Sequence, residues 1–261
     1  GDYISPAKVI HKSYKPQLKG DIKKIGEAVK IMAGARKPII YAGGGVINSG
    51  PEASHLLEKL VRMTDFPCTL TLMGLGALPA SDKHFLGMLG MHGTYEANMA
   101  MHDCDVMLCI GARFDDRVTG RIDAFSPNST KIHIDIDPSS INKTINVDIG
   151  IVGDVSHVLE DMIKIWVSDQ YRCDEKAIKS WWKTINSWRD RKSLSYDKGA
   201  KLIKPQYAIE RLYELTKTRN EVYITTEVGQ HQMWAAQHFH FEHPNRWMTS
   251  GGLGTMGYGL P

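Results

Sequence analysis

The sequence predicts an α/β fold in which a doubly wound parallel sheet carries helices on both faces. Short apolar runs that are typical of buried strands recur along the chain, among them residues 38–41 and 106–110. A glycine turn follows each of these two runs, and amphipathic helical patterns lie between the runs. Strand, glycine turn and helix in alternation are the pattern of a parallel sheet whose crossovers are helical.

The first part of this domain supplies two strands and two helices. We predict the strands at residues 38–41 and 67–72, each followed by a turn that contains glycine. Asp21 is placed to cap a helix that runs to about residue 35, and its apolar stripe consists of Ile22, Ile25, Ala28, Val29 and Met32. Pro51 begins the next helix, whose inward side consists of Leu56, Leu57, Leu60 and Val61.

The second part continues with a short helix at residues 95–101 and with strands at 106–110, 131–134 and 147–152. Asp154 is placed to cap the last helix, at residues 155–167. Beyond it, strand character is low, and many charges surround Trp181, Trp182 and Trp188. We predict an amphipathic helix at about residues 175–192 whose tryptophans pack on another domain or another subunit.

A second alternation begins at Pro205, with a helix to about residue 217, a strand at 222–225 and a helix from about residue 230. The chain begins without Met and stops after a glycine-rich run, so we expect an internal piece of a longer polypeptide. We expect four parts: a linker (1–20), a central α/β domain (21–167), a connector (168–204) and the start of a second α/β domain (205–261).

The composition is that of a globular protein, with 42% hydrophobic and 23% charged residues. The formal charge is only +3 and the basic residues are scattered, which excludes the clustered basic face of a nucleic-acid-binding protein. No apolar run is long enough to cross a bilayer, so we expect neither a nucleic-acid nor a membrane partner. The spacing of the cysteines does not indicate a zinc site, and we expect reduced thiols and no metal site at Cys68, Cys104, Cys109 and Cys173.

The loop after the strand at residues 106–110 is the first candidate site. Ligands of open parallel sheets bind outside the carboxyl ends of the strands. Gly111, followed by Ala112, lets a ligand approach the backbone, and Arg113 offers a planar fork of donors to a phosphate. An ordinary solvated loop is the alternative interpretation.

These residues belong to a longer pattern that also includes TLMGLG at 71–76, LGMH at 89–92 and IHIDID at 132–137. Together with residues 92–120, the pattern resembles the central domain of the large, catalytic subunits of the acetolactate synthase family, which are thiamine diphosphate-dependent enzymes. The resemblance extends from about residue 37 to residue 261 and is weakest between residues 166 and 203.

The resemblance implies that the central domain holds FAD in an extended pose across the carboxyl edge of the sheet. Thr71, Leu72 and Met73 would lie against the isoalloxazine, although core packing also explains Leu72. The glycine turn at 42–45 resembles half of a dinucleotide fingerprint, but a tight turn needs no ligand. For Asp135 and Asp137, the alternative to FAD binding is a role in the turn and helix start around Pro138. The other implied FAD contacts are His92, Gly93, Thr94, Gly111, Ala112, Arg113, Asp135, Asp137, Gly153 and Asp154.

The resemblance also implies a substrate channel and a second cofactor. Asp116 and Arg117 match channel positions, where Arg117 could pair with the carboxylate of a 2-keto acid; an exposed ion pair is the alternative. Gly254 would bond the aminopyrimidine of thiamine diphosphate through its backbone, and the side chain of Met256 would lie under that cofactor. The cofactor diphosphate would be held by Val228, Gly229, Gln230 and His231.

The family's reaction decarboxylates pyruvate and condenses the two-carbon unit with a second 2-keto acid, pyruvate or 2-ketobutyrate, in branched-chain amino-acid biosynthesis. The family's essential glutamate and its Mg²⁺ ligands would lie outside this chain, so we expect no catalytic residue here and no activity of the chain alone. The resemblance further implies a homodimer or dimer of dimers, a possible small regulatory subunit, and a cytoplasmic or organellar (stroma or matrix) location. The alternatives are a pyruvate oxidase, a glyoxylate carboligase, a decarboxylase, or a non-catalytic module for FAD binding or subunit docking.

Overall fold

A computed structural model of the protein describes residues 15–199, 201–219 and 221–260. Its main sheet has six parallel strands: Pro38–Ala42 (β1), Cys68–Leu70 (β2), Phe85–Met88 (β3), Val106–Ile110 (β4), Thr130–Asp135 (β5) and Ile149–Val152 (β6). Their spatial order is β3-β2-β1-β4-β5-β6. Strands β1 to β3 are therefore added in one direction from the centre of the sheet, and strands β4 to β6 are added in the other direction. This topology confirms the predicted doubly wound α/β fold.

The helices of this unit are Ile22–Ala33 (α1), Gly44–Asn48 (α2), Pro51–Thr64 (α3), Tyr95–Asp103 (α4), Asp116–Thr119 (α5) and Val155–Ser168 (α6). On one face of the sheet, Ile40 and Leu108 pack with residues of α1, α3 and α6. On the other face, Ile39 and Met107 pack with residues of α4. The central strands are consequently buried on both sides, which explains why they read as continuous apolar runs.

Several predicted boundaries were wrong. Strand β3 was missed, because Gly87 interrupts its short sequence and such a glycine is read as a turn. The predicted strand 67–72 ends at Leu70, since Leu72–Gly74 forms a 3-10 turn. The strand predicted at 147–152 begins only at Ile149. Ile22 is 56% exposed instead of contributing to the buried stripe of α1.

The connector forms the helix Glu175–Arg189 (α7) and packs on the central unit of the same chain. The Trp181 indole donates to the carbonyl of Pro38 at 2.9 Å, and the Trp182 indole donates to that of Asp65 at 2.8 Å. Both tryptophans thus have partners within this chain, at the beginning of β1 and at the end of α3.

The last part of the chain contains the helices Pro205–Thr216 (α8) and Gln230–His238 (α9) and the strands Ile224–Thr226 (β7) and Trp247–Thr249 (β8). The two strands pair in parallel, and β8 was not predicted. This unit contacts the central one directly: Ala80 N donates to Phe241 O at 3.1 Å, and Ser81 Oγ donates to Glu242 at 2.7 Å. Within the described ranges, no helix combines the length and apolar character needed to span a membrane.

Candidate functional site

A cleft of about 1460 Å³ opens at the carboxyl ends of β1 and β4, where the strand order reverses. The turns after these strands pack backbone against backbone, with Gly43 N donating to Ile110 O and Gly45 N donating to Gly111 O, both at 2.9 Å. A Cβ at Gly43 would lie 2.5 Å from the Gly111 oxygen, so this close approach requires glycine. Gly44 and Gly45 line the cleft, but the packing already explains the glycine run.

A buried histidine fixes the loop after β4. His133 is fully buried, and its Nε2 lies 2.8 Å from the carbonyl oxygen of Ala112. Burial lowers the pKa of His133, so the neutral ring donates through Nε2. Gly111, Ala112 and Arg113 all line the cleft, and Arg113 is exposed and lies 3.5 Å from Asp115. The sequence did not mark His133 because a histidine inside a strand also fits ordinary core packing.

Three carboxylates form one end of the cleft: Asp135, Asp137 and Asp154. Burial raises the pKa of Asp135, whose carboxylate accepts from Asp137 N at 2.9 Å. Asp137 in turn accepts from Ser139 N at 2.9 Å, and this hydrogen bond lowers its pKa. The turn role considered for the two aspartates is therefore present, alongside their exposure to the cleft.

Asp154 is held by two serines. Burial opposes its ionisation, but hydrogen bonds from the hydroxyls of Ser156 and Ser49, at 2.6 and 2.8 Å, outweigh that effect and lower its pKa. It also caps α6 as predicted. Gly153 does not line the cleft; a Cβ there would lie 2.8 Å from Val158, so this glycine has a packing role.

The turn formed by His92, Gly93 and Thr94 is already hydrogen-bonded within the protein. Gly93 N donates to Gly90 O and Thr94 N donates to Met88 O, both at 2.9 Å. The Thr94 hydroxyl donates to Leu86 O and accepts from Ala97 N, which caps α4. His92 lines the main cleft, whereas Gly93 and Thr94 do not. A phosphate would therefore find no free amide at these two residues.

The opposite end of the cleft is apolar. Thr71, Leu72 and Met73 line it, together with three residues that the sequence did not single out: Met88, Met91 and Trp234. Tyr41 also faces the cleft, and among the described residues its buried hydroxyl has no hydrogen-bond partner. Burial raises the pKa of Tyr41 well above its ordinary value, so the hydroxyl stays protonated.

The last part of the chain closes this apolar end. Gly229 and Gln230, at the beginning of α9, line the cleft, and no side chain caps that helix. Gly251 is so close to Met73 that a Cβ there would lie 2.6 Å from the sulfur. Four other residues that were predicted to bind thiamine diphosphate lie outside the cleft lining: Val228, His231, Gly254 and Met256. The side chain of Met256 is 69% exposed.

The predicted channel residues separate. Arg117 lines the cleft, whereas Asp116 is exposed outside its lining. The cleft thus offers carboxylates at one end, Arg113 after the central strand β4, and an apolar wall with Arg117 beside Met91 at the other end. An elongated ligand with hydroxyls, an anionic centre and a flat apolar ring would match this sequence of environments.

Two family models and several relatives match this chain. Residues 25–162 match the family described as thiamine pyrophosphate enzyme, central domain, and residues 227–261 match thiamine pyrophosphate enzyme, C-terminal TPP binding domain. The chain is 47% identical over 259 residues to the acetolactate synthase isozyme 3 large subunit of Escherichia coli (strain K12). It is 48% identical over 260 residues to the acetolactate synthase large subunit of Buchnera aphidicola subsp. Schizaphis graminum.

A more distant relative gives the same result: the chain is 42% identical over 249 residues to the acetolactate synthase of Mycobacterium bovis. The alignments with the Escherichia and Buchnera proteins cover 99% and 100% of this chain but only 44% of each relative. The alignment with the Mycobacterium protein covers 95% of this chain and 40% of that relative. The chain therefore spans less than half of the length of these relatives.

Proposed function

The chain belongs to the thiamine pyrophosphate enzyme family, and from that premise we propose that it forms the middle part of an acetolactate synthase catalytic subunit. The continuity of the cleft carries this proposal. One space runs from Asp135 and Asp154, past Arg113, to Met73 and the beginning of α9. A site of this length and chemical order is suited to two cofactors that meet at the apolar end.

FAD fits the part of the cleft that the central unit forms. Asp135, Asp137 and Asp154 can accept hydrogen bonds from ribose hydroxyls, and Arg113 can pair with the pyrophosphate. Leu72 and Met73 offer an apolar surface to the isoalloxazine. In this proposal, His92 contributes through its side chain and Thr94 through the helix cap that positions it.

Thiamine diphosphate fits the beginning of α9. The helix lacks a side-chain cap, so its first amides can face the cofactor diphosphate. When bound, thiamine diphosphate supplies the electron sink for decarboxylation of a 2-keto acid. The residues of this chain would bind and orient the cofactor and exclude water. We assign the Mg²⁺ ligands and the essential glutamate to other parts of the full-length protein, as the resemblance to the family implies.

The substrates of the full-length protein would be pyruvate and a second 2-keto acid, pyruvate or 2-ketobutyrate. Arg117 is exposed at the cleft and can attract their carboxylates. We also propose that the protein works as a homodimer or dimer of dimers, with a small regulatory subunit as a further partner. Its location would be the cytoplasm or the stroma or matrix of an organelle.

The test is an assay of the full-length protein with pyruvate, with and without added FAD and thiamine diphosphate. We expect acetolactate that requires thiamine diphosphate, while the purified 261-residue chain binds FAD without turnover. Flavin reduction by pyruvate without acetolactate would favour a pyruvate oxidase. Saturable FAD binding with no carboligation by the full-length protein would favour a binding module.

A further inference from the structure

The carboxylate of Glu227 contacts a glycine-rich loop that is distant in sequence. Glu227 lies between the end of β7 and the beginning of α9. One carboxylate oxygen accepts a hydrogen bond from Gly257 N, and the other accepts from Gly259 N at 3.2 Å. A carboxylate that receives two backbone amides makes charge-assisted hydrogen bonds, which are stronger than bonds between neutral groups.

Two further contacts place the same loop against the end of β7. The Thr225 hydroxyl donates to the carbonyl oxygen of Gly259 at 2.8 Å. A Cβ at Gly259 would lie 2.6 Å from the carbonyl carbon of Thr226, so the loop backbone rests directly on the strand. At the other end of the loop, Thr255 N donates to the Ser250 hydroxyl at 2.8 Å. The loop is thus attached to the end of β7 through Gly257 and Gly259 and closed on itself between Ser250 and Thr255. Gly254 lies within that turn, and Met256 lies between the turn and the attachment.

The orientation of Glu227 also affects α9. An acidic side chain close to a helix N-terminus can cap the helix and occupy its free amides. Glu227 does not do so, because its carboxylate is turned toward Gly257 and Gly259, and α9 has no side-chain cap. The first amides of α9 are consequently left for another anion.

We propose that Glu227 is a positioning residue for thiamine diphosphate. It fixes the loop that contains Gly254 and Met256, and it leaves the N-terminus of α9 available to the cofactor diphosphate. This inference rests on the proposed function, since it assigns the cofactor to that helix and loop. Glu227 itself touches neither substrate nor cofactor in this role.

The test compares Glu227→Ala and Glu227→Gln with the unmodified full-length protein. The alanine variant loses both acceptors, and we expect its Kd for thiamine diphosphate to rise about tenfold. Glutamine keeps one acceptor oxygen, so the Kd of Glu227→Gln for thiamine diphosphate should lie between those of Glu227→Ala and the unmodified protein. The Kd for FAD should stay unchanged. Both Kd values are measured at a temperature at which the variants are fully folded: a merely structural role would lower the unfolding temperature and leave the Kd of the folded variants for thiamine diphosphate unchanged. Glu175→Ala, which removes an exposed carboxylate on α7, is the matched control and should change none of these quantities.

Amide hydrogen exchange of the loop gives a readout that does not depend on cofactor chemistry. We expect faster exchange at Gly257 and Gly259 in Glu227→Ala than in the unmodified protein, and no change in α1. Unchanged exchange and an unchanged Kd for thiamine diphosphate in Glu227→Ala would overturn the inference. If the unmodified full-length protein failed to bind thiamine diphosphate while the exchange difference remained, the proposed function would fail and the loop contact would stand.

Discussion

His133 is a buried side chain that fixes the loop after β4. Its ring lies between the aromatic ring of Phe114, at 5.0 Å between centroids, and the carbonyl of Ala112. Phe114 itself has a left-handed backbone, with φ of 52°, which turns the chain sharply after Arg113. The orientation of Arg113 therefore depends on residues that never reach the solvent.

The substitution His133→Leu tests this dependence. It removes the imidazole donor and leaves the buried carbonyl of Ala112 only the weak thiol donor of Cys109 at 3.3 Å, at a cost of roughly 0.5–1.5 kcal/mol of stability. We expect FAD to bind about tenfold more weakly, because the loop that carries Arg113 is no longer fixed. Fluorescence titration with FAD measures the Kd, and His102→Leu, on an exposed position of α4, is the control. Equal affinity in the two variants would contradict the role of His133.

The same residue predicts a pH dependence of stability. Burial lowers the pKa of His133 in the folded state, so between that pKa and about 6.5 the unfolded chain binds more protons than the folded one. Stability should therefore fall as the pH is lowered from about 6.5 toward the folded-state pKa. Denaturant unfolding at several pH values should show a shallower decline for His133→Leu than for the unmodified protein. Parallel curves would contradict this prediction.

The strand ends form the cleft because two glycine turns meet there without side chains. Gly43→Ala places a Cβ 2.5 Å from Gly111 O, and the turns would have to separate. We expect a loss of roughly 1–3 kcal/mol in the free energy of unfolding and weaker FAD binding. Gly26→Ala is the matched control, since nothing lies within 4 Å of a Cβ at this helical position. It should stabilise the protein by about 0.5–1 kcal/mol. A similar loss of unfolding free energy in Gly43→Ala and Gly26→Ala would contradict the requirement for glycine at position 43.

The sequence predicted the central strands well, but it did not identify several residues in and behind the wall of the cleft. Strands β1 and β4 were predicted because they are buried on both faces and carry uninterrupted apolar residues. Tyr41 and His133 were missed because both are fully buried within strands, where the sequence does not distinguish them from ordinary core residues. Trp181 and Trp182 were recognised as packing residues, but their partners lie more than a hundred residues away and local patterns do not identify them.

On the scale of the whole molecule, two units share one cleft. The central unit supplies the acidic end and the arginines, whereas Trp234 and the segment 250–252 complete the apolar end. Gln237 of α9 also donates to His92 O at 2.8 Å, which joins the two units beside the cleft. We therefore expect each unit to bind a different part of an elongated ligand.

Truncation after residue 199 tests this division. The shortened chain lacks Trp234 and the 250–252 segment, so we expect its Kd for FAD to rise about tenfold. ADP should bind equally to both chains, because the carboxylates and Arg113 belong to the central unit. Isothermal titration calorimetry measures both ligands. A loss of ADP affinity equal to the loss of FAD affinity would contradict the assignment of the two ends.

A crystal structure of the full-length protein with FAD and thiamine diphosphate is the most direct test of the central claim. We predict that the FAD ribose lies beside Asp135 and Asp154, that the isoalloxazine lies against Leu72 and Met73, and that the thiamine diphosphate lies at the beginning of α9. FAD bound outside this cleft, or bound with its two ends reversed, would contradict the account.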